Sequence, residues 1–212
     1  MFVLISFLFT YVIIYVSLPL LNKFLLDIPN ARSSHLSPKP TGGGFSFVLV
    51  ATILMTITNN YLPLLCLPLA ISGFIDDLFN INFKIRYLIQ FIVGICILFY
   101  SQFLVNNQLN YNHFLEIILT LFLAFLITSI INFSNFMDGM DGLLSSSLIV
   151  VFITAAFKID SSAWILVGAL LAFLIWNWSP SKLFMGDVGS TFLGAILIGL
   201  ALMADSWQQS LM

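Results

Sequence analysis

Residues 132–143 read Asn-Phe-Ser-Asn-Phe-Met-Asp-Gly-Met-Asp-Gly-Leu, and both fold and chemistry turn on that stretch. It sets Asn132, Asn135, Asp138 and Asp141 three residues apart, with Gly139 and Gly142 behind the two carboxylates. On an α-helix each such step drifts by about 60°, so the polar groups fan over about half the circumference. Neighbouring members still lie close enough to act on one ligand. Upstream is an apolar run, residues 114–131, broken only by Glu116, and downstream is another, residues 143–157. Two amides and two carboxylates therefore fall where a hydrophobic segment ends, and ionisable groups at a membrane boundary are costly enough to suggest function. A polar inter-helix turn is the plainer reading, since Asp-Gly is a common turn dipeptide. The stretch alone leaves both open.

Working outward, the chain has 212 residues, of which 60% are hydrophobic and only 8% charged. A mean hydropathy of +1.08 excludes an ordinary soluble domain and points to a polytopic membrane protein. Cys66 and Cys96 lie inside apolar runs, so buried free thiols are expected rather than a disulfide or a zinc site. Residues 1–21 are apolar, but the first charge is Lys23, so the positive start of a secretory signal is missing. A retained first span is expected.

Eight apolar stretches are marked, at residues 2–21, 44–57, 61–75, 85–105, 114–131, 143–157, 163–178 and 191–203. The expectation is an all-α polytopic membrane protein, a single transmembrane domain over residues 1–212, with about eight transmembrane helices. Loops then alternate between two sides. Lys23, Arg32, Lys39, Lys84, Arg86 and Lys182 fall on one side and only Lys158 on the other, so the first side is read as cytoplasmic and the N-terminus as outside. Asp27, Asp76, Asp77, Asp138, Asp141 and Asp187 share the cytoplasmic side. Chemistry is expected there. His113 lies on the opposite side and receives no role, and basic residues are too few and too dispersed for nucleic acid.

The first cytoplasmic loop carries Arg32, His35 and Lys39 ahead of Gly42, Gly43 and Gly44. Three glycines before a helix could let backbone N–H groups approach an anion. The alternative, favoured on this loop alone, is a flexible basic loop touching anionic headgroups. The second loop opens with Asp76 and Asp77, and adjacent acids need a cation: a divalent ion, or Lys84 and Arg86 acting as neutralising partners. Asn80, Asn82 and Gln90 add hydrogen-bonding capacity near that boundary. The fourth loop, residues 177–190, reads N-W-S-P-S-K-L-F-M-G-D-V-G-S and presents Asp187 between two glycines.

Four motifs in order carry a resemblance: R-S-S-H-L-S-P-K-P-T-G-G-G (32–44), D-D-L-F-N-I-N-F-K-I-R-Y-L-I-Q (76–90), the opening stretch, and the fourth loop. Together they resemble the bacterial polyprenyl-phosphate N-acetylhexosamine-1-phosphate transferases, the group that includes the lipid I synthase of peptidoglycan assembly. The first motif is more similar to the branch that uses UDP-N-acetylglucosamine or related amino sugars than to the muramyl-pentapeptide branch. The resemblance implies attack of undecaprenyl phosphate on the β-phosphorus of a UDP-N-acetylhexosamine, release of UMP, and a lipid-diphosphate-linked sugar for cell-envelope polysaccharide. It implies Mg²⁺, with Mn²⁺ as a substitute, membrane lipid as surroundings, and leaves a homodimer open.

By the same resemblance Asp187 matches a metal-binding aspartate, and Asp76 and Asp77 match an acidic pair assigned to metal binding and to the lipid phosphate. Those three are the expected catalytic and metal residues. Asn132, Asn135, Asp138, Asp141 and Asn177 match the nucleotide region, while Arg32, His35, Lys39 and Lys84 are candidates for phosphate contacts. Relatives continue past an eighth span with further helices and a histidine-containing loop, which this sequence lacks, so it is expected to be an N-terminal portion. A non-catalytic remnant or subunit is the alternative this leaves. A small membrane transporter is a more distant one, because the carboxylates sit at helix ends on one face and no two halves are related.

Overall fold

The computed structural model describes residues 1–29, 37–103 and 113–204. Among these are eight helices, α1 (Phe2–Phe24), α2 (Phe45–Ile57), α3 (Leu62–Phe79), α4 (Phe83–Tyr100), α5 (His113–Met137), α6 (Leu143–Lys158), α7 (Ala163–Asn177) and α8 (Asp187–Leu202). An antiparallel ribbon of two-residue strands, β1 (Leu26–Asp27) and β2 (Lys39–Pro40), is the only strand pairing among the described residues. Each expected apolar stretch overlaps a helix. By length and composition α1, α3, α4 and α5 can cross a membrane. The other four have 13 to 16 residues, short of the about 20 that a perpendicular span needs.

Packing separates the helices into an interior and a rim. In α8 every residue from 188 to 196 is buried, and α7 is buried at residues 165–170. A helix apolar on all sides has no face to give to water and must be wrapped by others. Helices α2, α3, α4, α5 and α6 all touch α8, while α1 lies along α7. On α1 the buried positions Ser6, Thr10 and Ile14 recur every four residues, and Leu4, Leu8, Val12 and Val16 form the opposite, exposed stripe. Close crossings rest on small residues, as membrane helix pairs require. A Cβ on Gly44 would stand 2.5 Å from the Cα of Gly189, so α2 and α8 meet backbone to backbone.

Several helix ends differ from the sequence expectation, and each difference has a local cause. Helix α3 runs beyond residue 75 through Asp76 and Asp77, and stops only where Asn80 turns left-handed at φ 51°. Helix α5 continues past residue 131 to Met137, because Asn132 and Asn135 find side-chain partners on α4 and α8. Helix α8 starts at Asp187 rather than residue 191, its first N–H groups accepted by a carboxylate. Of the two cysteines expected to be buried, Cys66 is, but Cys96 is exposed on the outer face of α4.

The glycine run before α2 is neither an anion cradle nor a free loop. The N–H of Gly43 donates to the Phe184 carbonyl at 2.9 Å, and that of Gly44 donates to Met185 at 2.9 Å. Phe184 in turn donates to Pro40 at 2.9 Å. Those donors are committed to the fourth loop, so the run serves to dock that loop against α2.

Candidate active site

A cavity of about 600 Å³ opens where α3, α4, α5 and α8 converge. Asp76, Asp77, Arg86, Asn135, Asp138 and Asp187 supply most of its chemistry. Asp76 and Asp77 occupy the last turn of α3, Arg86 the first turn of α4, and Asn135 the last turn of α5. Asp138 sits in the turn that follows, and Asp187 is the first residue of α8. Three stretches far apart in sequence, residues 76–86, 135–138 and 187, thus contribute to one polar space.

The contacts divide the labour among the acids. Arg86 reaches across the cavity, pairing through Nη1 with Asp76 and through Nη2 with Asp187 at 2.6 Å. Asn135 donates from Nδ2 to the other Asp187 oxygen at 2.8 Å. Asp76 also accepts from the Ile81 N–H at 2.7 Å, which fixes the turn into α4. Asp77 points differently: it accepts the N–H groups of Asp187 at 3.0 Å and Val188 at 3.4 Å. It caps α8, where unsatisfied N–H groups and the helix dipole favour a carboxylate. Gly186, at φ 77°, makes the approach feasible, since a Cβ there would strike the Asp77 carboxylate. Asp138 is half-buried; burial pushes its carboxyl well above the usual carboxylate range, and the charges of Asp187 and Asp77 push it the same way.

The remaining expected site residues lie elsewhere. Asp141 accepts the Ser181 N–H at 2.9 Å. Asn177 is buried, and both ends of its amide are engaged: Oδ1 accepts from the Gly142 N–H and the Ser145 hydroxyl, and Nδ2 donates to the Leu183 carbonyl. Both residues tie the α5–α6 turn to the fourth loop instead of lining the cavity. Asn132 faces α4, exchanging hydrogen bonds with Gln90. Lys39 lies over the Phe184 ring, 5.2 Å from its centroid. Lys84 is exposed and lines a separate groove of about 710 Å³ between α4 and α5, with Phe83, Tyr87, Phe91 and Phe125 among its walls. Arg32 and His35 lie outside the described residues.

Arg86 is the site residue that sequence reading passed over, having counted it only as a neutraliser of the acid pair. The signal was present: ten residues across a helix–turn–helix bring the α4 guanidinium back over Asp76. Among the described residues, five aspartates, including Asp27, line the cavity against this one cation. That excess of hard oxygen donors fits a divalent ion such as Mg²⁺. No three of the described residues close on one point as a cage. Mg²⁺ does not ask for one, since it is commonly held by one or two carboxylates together with substrate phosphates.

Comparisons with known proteins place the chain in a family. The profile of glycosyl transferase family 4 matches residues 59–205. A phospho-N-acetylmuramoyl-pentapeptide-transferase of Clostridium acetobutylicum is 31% identical over 94% of this chain and 74% of its own length. The one from Staphylococcus carnosus is 29% identical over 96% of this chain and 75% of its own. An undecaprenyl-phosphate alpha-N-acetylglucosaminyl 1-phosphate transferase of Thermotoga maritima is 31% identical over 81% of this chain and 54% of its own. The chain belongs to glycosyl transferase family 4, among the polyprenyl-phosphate N-acetylhexosamine-1-phosphate transferases.

Proposed function

We propose that this chain transfers N-acetylhexosamine-1-phosphate from a UDP-sugar to undecaprenyl phosphate at the cytoplasmic membrane surface, releasing UMP. The observation that carries this reading is the arrangement of two compartments on either side of α4 and α5: an acid-rich cavity lined by Arg86, and an aromatic-walled groove with Lys84 at its α4 end. A nucleotide sugar is polar throughout, and a polyprenyl phosphate is an anion on a long apolar chain. The two compartments match those two substrates. Lys84, in the first turn of α4, suits the lipid phosphate, because a helix N-terminus adds its own attraction for an anion.

In the reaction a lipid phosphate oxygen bonds to the β-phosphorus of the UDP-sugar. The bond from that phosphorus to the oxygen bridging the α-phosphate breaks, and UMP leaves with the electron pair. A phosphate monoester is already largely ionised near neutral pH, so the attacking oxygen needs little help from a base. Phosphoryl transfer depends mostly on positioning and charge neutralisation. Asp187 and Asp76 would hold Mg²⁺, which would supply neutralisation of the diphosphate charge. Arg86 places its planar fork of donors where the diphosphate oxygens enter. Asn135 orients Asp187, and Asp77 holds the start of α8 in position, which places it behind the reacting groups rather than on them.

For the donor we favour UDP-N-acetylglucosamine or a related simple amino sugar, on the character of residues 32–44. Overall identity does not separate the donor classes, as a relative of each stands at 31%. Membranes carrying the chain, supplied with undecaprenyl phosphate and either donor labelled at the β-phosphorus, should move label to lipid from the simple amino sugar. Transfer from the muramyl-pentapeptide donor alone would overturn the donor assignment.

A further inference from the structure

The Gln90–Asn132 pair lies outside the reacting groups, yet it stands one helical turn below the residues that meet at Asp187. Asn132 donates from Nδ2 to Gln90 Oε1 at 2.6 Å, and Gln90 donates from Nε2 to Asn132 Oδ1 at 3.4 Å. Asn132 also donates to the Thr128 carbonyl of its own helix at 2.8 Å. Gln90 is only 2% exposed, so its amide has no water to turn to, while Asn132 is half-buried. A buried amide left unpaired is expensive, and more so where hydrocarbon surrounds the helices.

Position along the helices gives the pair its meaning. On α4, Gln90 follows Arg86 by four residues, and on α5, Asn132 precedes Asn135 by three, so each amide shares a face with a residue of the site. Arg86 and Asn135 both end on Asp187. One turn further from the cavity, at Gly94, a Cβ would lie 3.3 Å from Ile127 and 3.4 Å from the Ala124 carbonyl, so α4 and α5 touch closely there. The contacts form a ladder: Gly94 on α5, then the amide pair, then Arg86 and Asn135 on Asp187. Asn132 also lines the aromatic groove, while Asn135 lines the acidic cavity. Asn132 thus stands on the groove side of the turn of α5 that carries Asn135 into the cavity.

Resting on the transferase reading above, we infer that Gln90 and Asn132 are positioning residues: together they set the α4–α5 spacing that holds Arg86 and Asn135 on Asp187, and neither touches the nucleotide sugar. This assigns Asn132 a different task from the nucleotide contact that family resemblance implies. A misplacement of about 1 Å at a site of this kind can cost about 10²-fold in rate.

The test uses the full chain in detergent or nanodiscs, with Gln90→Leu, Asn132→Leu and the swap Gln90→Asn with Asn132→Gln. Kinetically, each single change should lower kcat by about ten- to a hundredfold while KM for the nucleotide sugar moves little, and the swap should recover most of the loss. A rise in KM at constant kcat, unrescued by the swap, would instead make Asn132 a direct substrate contact. A second readout needs no turnover: spin labels at the exposed Ile92 and Phe122 report the α4–α5 distance. The single variants should shift or broaden that distance and the swap should restore it. An unchanged distance in both single variants overturns the inference even if the protein proves inactive with every donor tried, which would count against the transferase reading alone.

Discussion

Asp187 answers to three neighbours: the Arg86 guanidinium, the Asn135 amide, and Asp77, which accepts its N–H. No adjacent acid can replace it, since Gly186 and Val188 flank it. Replacing one charge contact of a transition state commonly costs about 10²–10³ in rate. Asp187→Asn should therefore lose turnover on that scale and require more Mg²⁺ for what remains, while accumulating normally in membranes. Near-normal turnover at limiting Mg²⁺ would remove its metal role. Asp141→Asn should be far milder than Asp138→Asn, because an asparagine oxygen can still accept the Ser181 N–H. Asp138 also carries a stability consequence. Its folded pKa is raised, so the folded state binds its proton more tightly, and ionising it costs stability as pH rises above the unfolded carboxylate value. Asp138→Asn should then raise the melting temperature at neutral pH in the absence of divalent ions, with the gain vanishing below about pH 4. Equal melting at both pH values would contradict that burial cost. The carboxylates themselves were legible in sequence from their exclusion from apolar runs. The split between those lining the cavity and those pinning loops was not, because Asp141 and the side-chain carbonyl of Asn177 are distinguished by partners 32 to 40 residues away.

At the level of elements, the first, second and fourth loops, expected only to share one face, are joined by direct hydrogen bonds. Asp77 from α3 caps α8, and the glycines before α2 bond to the fourth loop. Hydrophobic runs locate spans well because hydrocarbon selects them residue by residue. They locate ends poorly, since a carboxylate or amide stays helical when another helix offers it a partner, as Asp76 and Asn132 do. The glycine run illustrates the same point: its role depends on Gly189, which lies more than a hundred residues away in sequence, so no local reading could assign it. Gly44→Ala should force α2 and α8 apart and lower the melting temperature, with a cost of about 1–3 kcal/mol typical of overpacking. Wild-type melting of that variant would mean the backbones do not meet.

For the whole molecule, the distribution of basic residues and the position of the cavity make a joint claim. Arg86 and Lys84 lie at the cavity end of α4, and Lys39 and Lys182 belong to the loops around it. If that end faces the cytoplasm, as the positive-inside rule has it, the nucleotide sugar reaches the site directly. Reporters fused after Lys84, Gly142 or Lys182 should read cytoplasmic, and one fused after Ser161 should read external. Signals from the same side would break the alternation and the shared active face together. The central claim, that this cavity joins a sugar phosphate to a lipid phosphate by attack at phosphorus, meets its most direct test in the nucleotide product. Purified protein with undecaprenyl phosphate, UDP-N-acetylglucosamine and Mg²⁺ should release UMP in step with a lipid diphosphate, and chelation should stop both. Release of UDP would contradict the account, because it places the attack at the sugar carbon and leaves the acid-rich cavity without the task assigned to it.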